Sequence, residues 1–441
     1  MRRLFIGLFI MSLVVSMGAA QDKITLERSI QIALEQNPTV VKARAEIGAA
    51  EGVVGQARAG FLPQLNLSAG IGKYYAKPQT MEVDLPGMIS PSEITIGTDQ
   101  QADMYNYSVK LSQALFTGGR LTNSLGVANK GLDIAKEELV RITQDVEFKV
   151  IDAYYNVLKA HKFVELNEQA IEMALDHLKR TNAMLKVGIS TKADVLRNEV
   201  QVANAQLGLT KAKQALEIAK SDFNNTLGND LEETVDIQEI GYSSNEAASY
   251  DYNALVEIAY ESRPDWKQYV LAKKVSEEDV SLAYSQLWPI ISLVGNYDVN
   301  SIKYKAYENN TESWTALLSG SWDIFDGTAS WNKIKENKAK LEARKAEETA
   351  IRRGIALEVK NADFNFKSAI ENLKETVKAL ELAEENFRIA KLRYETGSGT
   401  NLDMIDAQLA LTQARTDHLL TQHDLQISKA KINKAVGRNV Y

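Results

Sequence analysis

The amino-acid sequence repeats itself, and the second copy keeps the spacing of the first. Pro38 and Pro63 recur as Pro264 and Pro289, both 226 residues later. Further along the offset becomes 209: Leu115 and Phe116 return as Ile324 and Phe325, Gly188 as Gly397, Thr191 as Thr400, Asp194 as Asp403 and Gly228 as Gly437. The difference of 17 residues is therefore one insertion in the first copy, between Pro63 and Leu115. A duplicated chain predicts a pseudo-symmetric fold in which each copy supplies what the other cannot close alone.

The prolines show where long helices can run. All seven lie at positions 38, 63, 78, 86, 91, 264 and 289, which leaves 92–263 and 290–441 without any. Proline removes a helical donor and clashes with the preceding turn, so these are the stretches free to form uninterrupted helices. Val157, Val164, Ile171, Leu178 and Leu185 then repeat every seven residues, and the stripe returns as Phe366, Leu373, Leu380, Phe387 and Tyr394. That is a coiled-coil seam. Ala153, Ala160 and Ala174, with Ala362, Ala369, Ala383 and Ala390, lie beside it and allow neighbouring helices to approach closely.

The spacing predicts one long helix over 121–187 and its twin over 330–396, each 67 residues and roughly 100 Å long. Gly188 and Gly397 are suited to the left-handed conformation that ends helices. Return helices follow over 192–227 and 401–436, each opened by a threonine with an aspartate three residues on, the pattern of a capping box. Shorter helices are expected over 39–60 and 265–286. Between the helices the period changes to two. Strands are expected at about 64–74 and 105–116, and again at about 290–298 and 313–324. Leu65, Leu67, Ala69 and Ile71 alternate with Asn66, Ser68, Gly70 and Gly72; Trp314, Ala316, Leu318, Gly320 and Trp322 form one face of the last strand. Apolar-out, polar-in strands with aromatic ends fit a transmembrane barrel. Four strands cannot close one, and an open sheet in lipid leaves backbone groups without partners. Eight strands from two copies would be filled by their own side chains, whereas twelve from three leave a lumen, so three or more copies are expected.

Composition narrows the class. Residues 1–20 read as a secretory signal, with Arg2 and Arg3, an apolar run and a small residue at Ala20. Removing it takes the formal charge from -7 to -9, which argues against a nucleic-acid partner. There is no Cys, so neither disulfides nor a lipid-bearing cysteine operate. No later stretch reaches the roughly 20 apolar residues of a spanning helix. The four histidines, His161, His177, His418 and His423, form no metal-ligand motif, and no phosphate loop, zinc-protease pair or nucleophile turn is present. No catalytic residue, cofactor or metal site is expected.

The duplicated plan, the strand-to-helix junctions FTGGR from Phe116 and FDGTA from Phe325, and the turns VGIST from Val187 and TGSGTNLDMIDA from Thr396 resemble the TolC-like outer membrane efflux protein family. The likeness covers nearly the whole chain beyond residue 20. It implies a mainly α fold with a membrane β-barrel portion: a homotrimer whose 12-stranded barrel in outer-membrane lipid continues as a 12-helix periplasmic tunnel. First repeat (21–228) and second repeat (264–441) would flank an equatorial segment over 229–263, which a plain linker explains as well. The resemblance implies a passive exit duct of a tripartite efflux pump or type I secretion system, joined to a periplasmic adaptor and an inner-membrane pump or ABC exporter. A secreted helical-hairpin adaptor or periplasmic coiled-coil scaffold is the alternative.

The resemblance also assigns residues. Asp403 and Asp406 match positions where family members narrow the periplasmic end of the tunnel with carboxylates. Tyr394 matches a position that links the inner hairpin to its neighbours. A capping role for Asp403 and a packing role for Tyr394 stand beside these. Gly399 takes the place of an arginine that some members use for that link. The turns Gly188, Ile189, Ser190 and Thr191, and Gly397, Ser398, Gly399 and Thr400, match the tips that meet the adaptor, although any tight helix turn shares their residue types.

Overall fold

The computed structural model describes residues 23–83, 92–96, 99–239, 251–305 and 307–438. The expected signal segment, Pro86 and Pro91, and residues 240–250 lie outside them. In chain order the elements are α1 (Leu26–Gln36), α2 (Pro38–Ala59), β1 (Gln64–Ala76), β2 (Gln79–Val83), β3 (Ser92–Ile96), β4 (Gln100–Phe116), α3 (Arg120–Lys186) and α4 (Lys192–Leu227). They are followed by α5 (Tyr252–Ser262), α6 (Pro264–Ser285), β5 (Ile290–Tyr304), β6 (Glu308–Ser321), α7 (Ala329–Glu395) and α8 (Asn401–Ala435).

Three differences from the expected elements have physical causes. The insertion carries its own antiparallel ribbon, β2 with β3, because Thr80 and Val83 on one side and Ile94, Thr95 and Ile96 on the other are β-branched residues that favour extended, paired backbone. The last strand stops at Ser321, and Trp322 beyond it turns its indole N–H to the Leu287 carbonyl at 3.1 Å. Two helices, α1 and α5, were not expected. They are related by the same offset of 226 as the prolines that follow them, and each is 11 residues long. Each is opened by a side-chain cap, Thr25 or Asp251, and ended by an extended residue before proline, where helical backbone is disfavoured.

The chain forms two compact units, one of residues 1–42, 141–263 and 355–441, the other of 43–140 and 264–354. In the first, the seam residues are inward: Val157, Val164, Ala153, Ala160 and Ala174 are buried on α3, and Ala362, Phe366 and Ala369 on α7. Val164 packs with Leu209 and Ala212 of α4. Tyr154 is fully buried edge-on to Phe223, and its hydroxyl donates to the Gln238 carbonyl at 2.6 Å, which fixes the chain after α4 against α3.

The duplication is visible at bond level in this unit. Asn37 Nδ2 donates to the Thr226 carbonyl at 2.9 Å, and its counterpart Arg263 Nη1 donates to the Ala435 carbonyl at 2.9 Å. Beside these bonds Gly228 and Gly437 have φ of 89° and 71°. A Cβ at Gly437 would stand 2.6 Å from the Arg263 backbone, and one at Gly228 would stand 3.1 Å from the Gln36 carbonyl oxygen. Gly437→Ala is therefore expected to lower unfolding stability by more than the ~1–2 kcal/mol of left-handed backbone alone, and by more than Gly228→Ala. Denaturant midpoints followed by helical circular dichroism check both the sign and the order.

Candidate functional site

In the second unit four strands form one antiparallel sheet of order β1-β4-β5-β6. Register sorts its side chains by face. One row across the sheet is Leu65, Leu111, Gly295 and Ala316; the next on that face is Leu67, Val109, Tyr297 and Trp314. The alternate rows are Asn66, Lys110, Asn296 and Thr315, then Ser68, Ser108, Asp298 and Ser313, then Gly70, Asn106, Asn300 and Thr311. The apolar face lies open: Leu67 is 74%, Ile71 79% and Trp314 77% exposed. A water-soluble sheet would cover such a face. Exposed Trp288, Trp322 and Phe325 flank its helix-joined end, and the stacked Tyr304 and Tyr307 stand at the other. Apolar rows between aromatic ends match the lipid-facing band and girdles of a membrane barrel. Among the described residues no helix is long and apolar enough to cross a membrane.

The outer edges of β1 and β6 have no partner strand among the described residues. In hydrocarbon their free N–H and C=O groups each cost several kcal/mol (~2–7). A four-stranded sheet with such edges is not by itself a complete membrane-spanning structure.

The first unit holds both predicted turns. Gly188 and Gly397 have φ of 79° and 72°, and backbone N–H groups of Ile189 and Ser398 close the ends of α3 and α7 on Met184 and Arg393 carbonyls at 2.9 Å. Both capping boxes are complete. Thr191 Oγ1 accepts from the Asp194 N–H at 3.2 Å while the carboxylate accepts from the Thr191 N–H at 3.1 Å; Thr400 and Asp403 do the same at 3.1 Å each. Ser190 and Gly399 are half-buried, and Ile189 is 71% exposed, so the first turn presents an apolar side chain outward.

Asp403 and Asp406 are both exposed and line one groove of about 440 Å³ with Arg393, Asn386, Ala390 and Gly399. Hydrogen bonds from the Thr400 backbone and hydroxyl hold the Asp403 carboxyl below the ordinary aspartate range, and Arg393 adds to this. Gly399 lets the turn pass close to the end of α7, since a Cβ there would lie 3.1 Å from Arg393 Cβ and from the Tyr394 nitrogen. Arg393 was not singled out in the sequence; only its position one turn before the acidic tip could have marked it.

Tyr394 is buried, and its hydroxyl bonds Thr181 Oγ1 of α3 at 2.9 Å. Thr181 also receives Asn198 Nδ2 of α4 at 2.7 Å, and Asn198 reaches Asn401 of α8 at 3.2 Å. His177 Nε2 meets the same Asn401 oxygen at 2.8 Å. Beside this cluster Arg180 of α3 pairs with Glu395 of α7. Four helices thus meet in one polar cluster that the sequence reading reached only at Tyr394. A signal existed: Thr181 continues the seven-residue row of Ala160 and Ala174, a polar side chain where its counterpart in the second copy is Ala390.

His161, Glu165 and Glu239 also converge, with His161 Nδ1 3.4 Å from Glu165 and 3.9 Å from Glu239. Lys162 Nζ already sits 3.0 Å from both carboxylates, so this is an ion-pair cluster.

The family profile described as "Outer membrane efflux protein" matches residues 29–229 and 255–438. The chain is 23% identical over 420 residues to protein CyaE of Bordetella pertussis, covering 94% of this chain and 84% of that one. It is 22% identical over 443 residues to outer membrane protein TolC of Vibrio cholerae serotype O1, covering 96% and 93%. A solved structure of CusC superposes with a TM-score of 0.78 at 15% identity, covering 94% of this chain and 92% of that one. The chain belongs to the outer membrane efflux protein family. It is an outer-membrane channel with a large periplasmic helical portion, a passive conduit rather than an enzyme, which sets aside the scaffold alternative.

The caps give the turns a pH response. Asp194 is held below its ordinary value chiefly by the Thr191 hydroxyl, and Asp403 by Thr400. A carboxylate depressed in the folded state stabilises above its ordinary range and stops doing so as pH falls through the lowered value. Amide-exchange protection at residues 191–195 and 400–404, referred to intrinsic rates, is expected to fall below that range. Thr191→Ala and Thr400→Ala should remove it already at neutral pH; unchanged protection in both variants would contradict the capping role.

Proposed function

We propose that three copies of this chain join edge to edge, β6 of one to β1 of the next, as a twelve-stranded barrel whose polar face lines a water-filled lumen. The observation that carries this is a sheet with one apolar face, one polar face and two edges unpaired among the described residues. Three copies rather than two follow from the need for a lumen. The helical hairpins α3–α4 and α7–α8 then form the wall of a periplasmic tunnel, and the duct receives its cargo from a periplasmic adaptor and an inner-membrane pump or exporter.

In this reading Asp403 and Asp406 form the periplasmic gate. Their exposure on one face of α8 and their shared groove support it. The corresponding position of the first copy adds a second support, because Asp406 is matched there by Arg197, so the acid pair belongs to the second hairpin alone. Tyr394 acts from behind, through Thr181, rather than by lining the groove. The tips Gly188 to Thr191 and Gly397 to Thr400 meet the adaptor, with the exposed Ile189 as the apolar contact on the first.

A ring of carboxylates in a narrow aqueous passage attracts cations. Replacing Asp403 and Asp406 together by Asn is expected to abolish cation preference and alter conductance in planar bilayers, whereas Arg393→Gln should strengthen the preference. Selectivity unchanged in both variants would remove this groove from the conduction path.

A further inference from the structure

The cluster around Tyr394 is unusual in what it leaves unmade. His177, Thr181, Asn198, Tyr394 and Asn401 are all buried, none more than 7% exposed. Thr181 Oγ1 donates its single proton to the His177 carbonyl at 3.0 Å, so its remaining capacity is to accept, and Tyr394 and Asn198 are its donors. Asn401 Oδ1 accepts from Asn198 and from His177 Nε2, which assigns the proton of a neutral imidazole to Nε2. Two buried atoms remain without a partner, Asn198 Oδ1 and Asn401 Nδ2.

A partly satisfied polar cluster holds helices less firmly than apolar side chains of the same volume, and it sets their register. Its unmet groups regain partners as soon as water enters. Here it stands where the alanine seam of α3 would otherwise continue, and it ties both helices of one hairpin to both helices of the other. Such a contact is built to come apart without a large apolar surface being exposed.

We propose that this cluster is a proton-released latch: neutral His177 joins the α7–α8 hairpin to the α3–α4 hairpin, and protonation of its imidazole lets them separate. The latch stands on these contacts alone; that its release opens the duct rests on the gate reading above. The ionisable groups facing the imidazole are Asp176 and Arg180 from α3 and Lys391, Tyr394 and Glu395 from α7; α8 contributes Asn401 and Met404, and α4 contributes Asn198. Arg180 is committed to Asp176 at 2.9 Å and to Glu395, so both of these carboxylates are already paired. The Tyr394 ring lies edge-on at 4.9 Å from the imidazole. Burial holds His177 below its ordinary value, with Arg180 adding to the depression and Asn401 and Asp176 opposing it. The closed contact thus binds fewer protons than the separated one. It is stable above the ordinary imidazole range of about 6.5 and weakens below it, by at most about tenfold per pH unit, until the lowered value is passed.

The chain has no cysteine, so a nitroxide pair can be placed on introduced thiols at Lys179 of α3 and Leu392 of α7, both exposed. The full chain in detergent, diluted with unlabelled chain so that only spins within one copy are counted, is measured by electron–electron double resonance at about pH 7.5 and about pH 5, where carboxylates remain mostly ionised. A narrow distance distribution at the higher pH and a broader, longer one at the lower is expected. His177→Gln, which keeps a neutral N–H donor, should hold the narrow distribution at both, and Tyr394→Phe should broaden it at both. An unchanged distribution in the native chain, or a pH response that survives His177→Gln, would overturn the latch. Conductance separates the two readings: distances that respond to pH while the channel current does not leave the latch standing and remove its link to the gate.

Discussion

Unpaired backbone at the edges of a sheet is the constraint from which this molecule follows. A face bearing Leu65, Leu67 and Trp314 cannot remain in water, and in lipid the free groups of β1 and β6 cannot remain single. The two demands are met together only if the sheet closes with sheets like itself. In the barrel proposed above, the polar rows of Asn66 and Ser68 find water on the inside, where a lone copy would place them in no defined environment. In the proposed barrel, conduction is a consequence of that closure and needs no binding pocket or reactive group.

Duplication supplies the helical part with a symmetric backbone and an asymmetric chemistry. Asn37 and Arg263 make the same bond to the last turn of a return helix, Gly228 and Gly437 turn beside them, and both tips carry the same capping box. The side chains then diverge at a few positions: Arg197 against Asp406, Met184 against Arg393, and Leu185 against Tyr394. The hairpin of the second copy acquires the acids and the tyrosine, while that of the first supplies Thr181, His177 and Asn198 to hold it. Packing that is equivalent in both copies serves stability, and the departures from equivalence are the positions on which the proposed gate and latch rest.

Much of this was legible because it is periodic. The heptad stripe from Val157 to Leu185 and the strand alternation from Leu65 to Ile71 each bury or expose residues at a fixed step, so helices, strands and the exposed apolar row could be read from spacing. The helices α1 and α5 escaped because 11 residues carry little more than three turns of pattern, although their shared offset and their caps at Thr25 and Asp251 were available. The ribbon β2–β3 escaped because prolines dominate its surroundings. The polar cluster escaped for a deeper reason. His177, Asn198 and Asn401 lie on three helices, and nothing along the chain says which turn of one helix meets which turn of another. Tyr394 was reached through the family resemblance and as the last member of the stripe, but its partner Thr181 was concealed by being small.

The most direct measurement concerns the edges themselves. With no native thiol, a cysteine at Ser68 in β1 can be combined with one at Thr311, Ser313 or Thr315 in β6, scanning the register between neighbouring copies in oxidised outer membranes. Edge-to-edge closure predicts a ladder of covalent species ending at three copies for at least one pair, and none for either cysteine alone. Chains that stay at one copy for every pair would contradict the shared barrel.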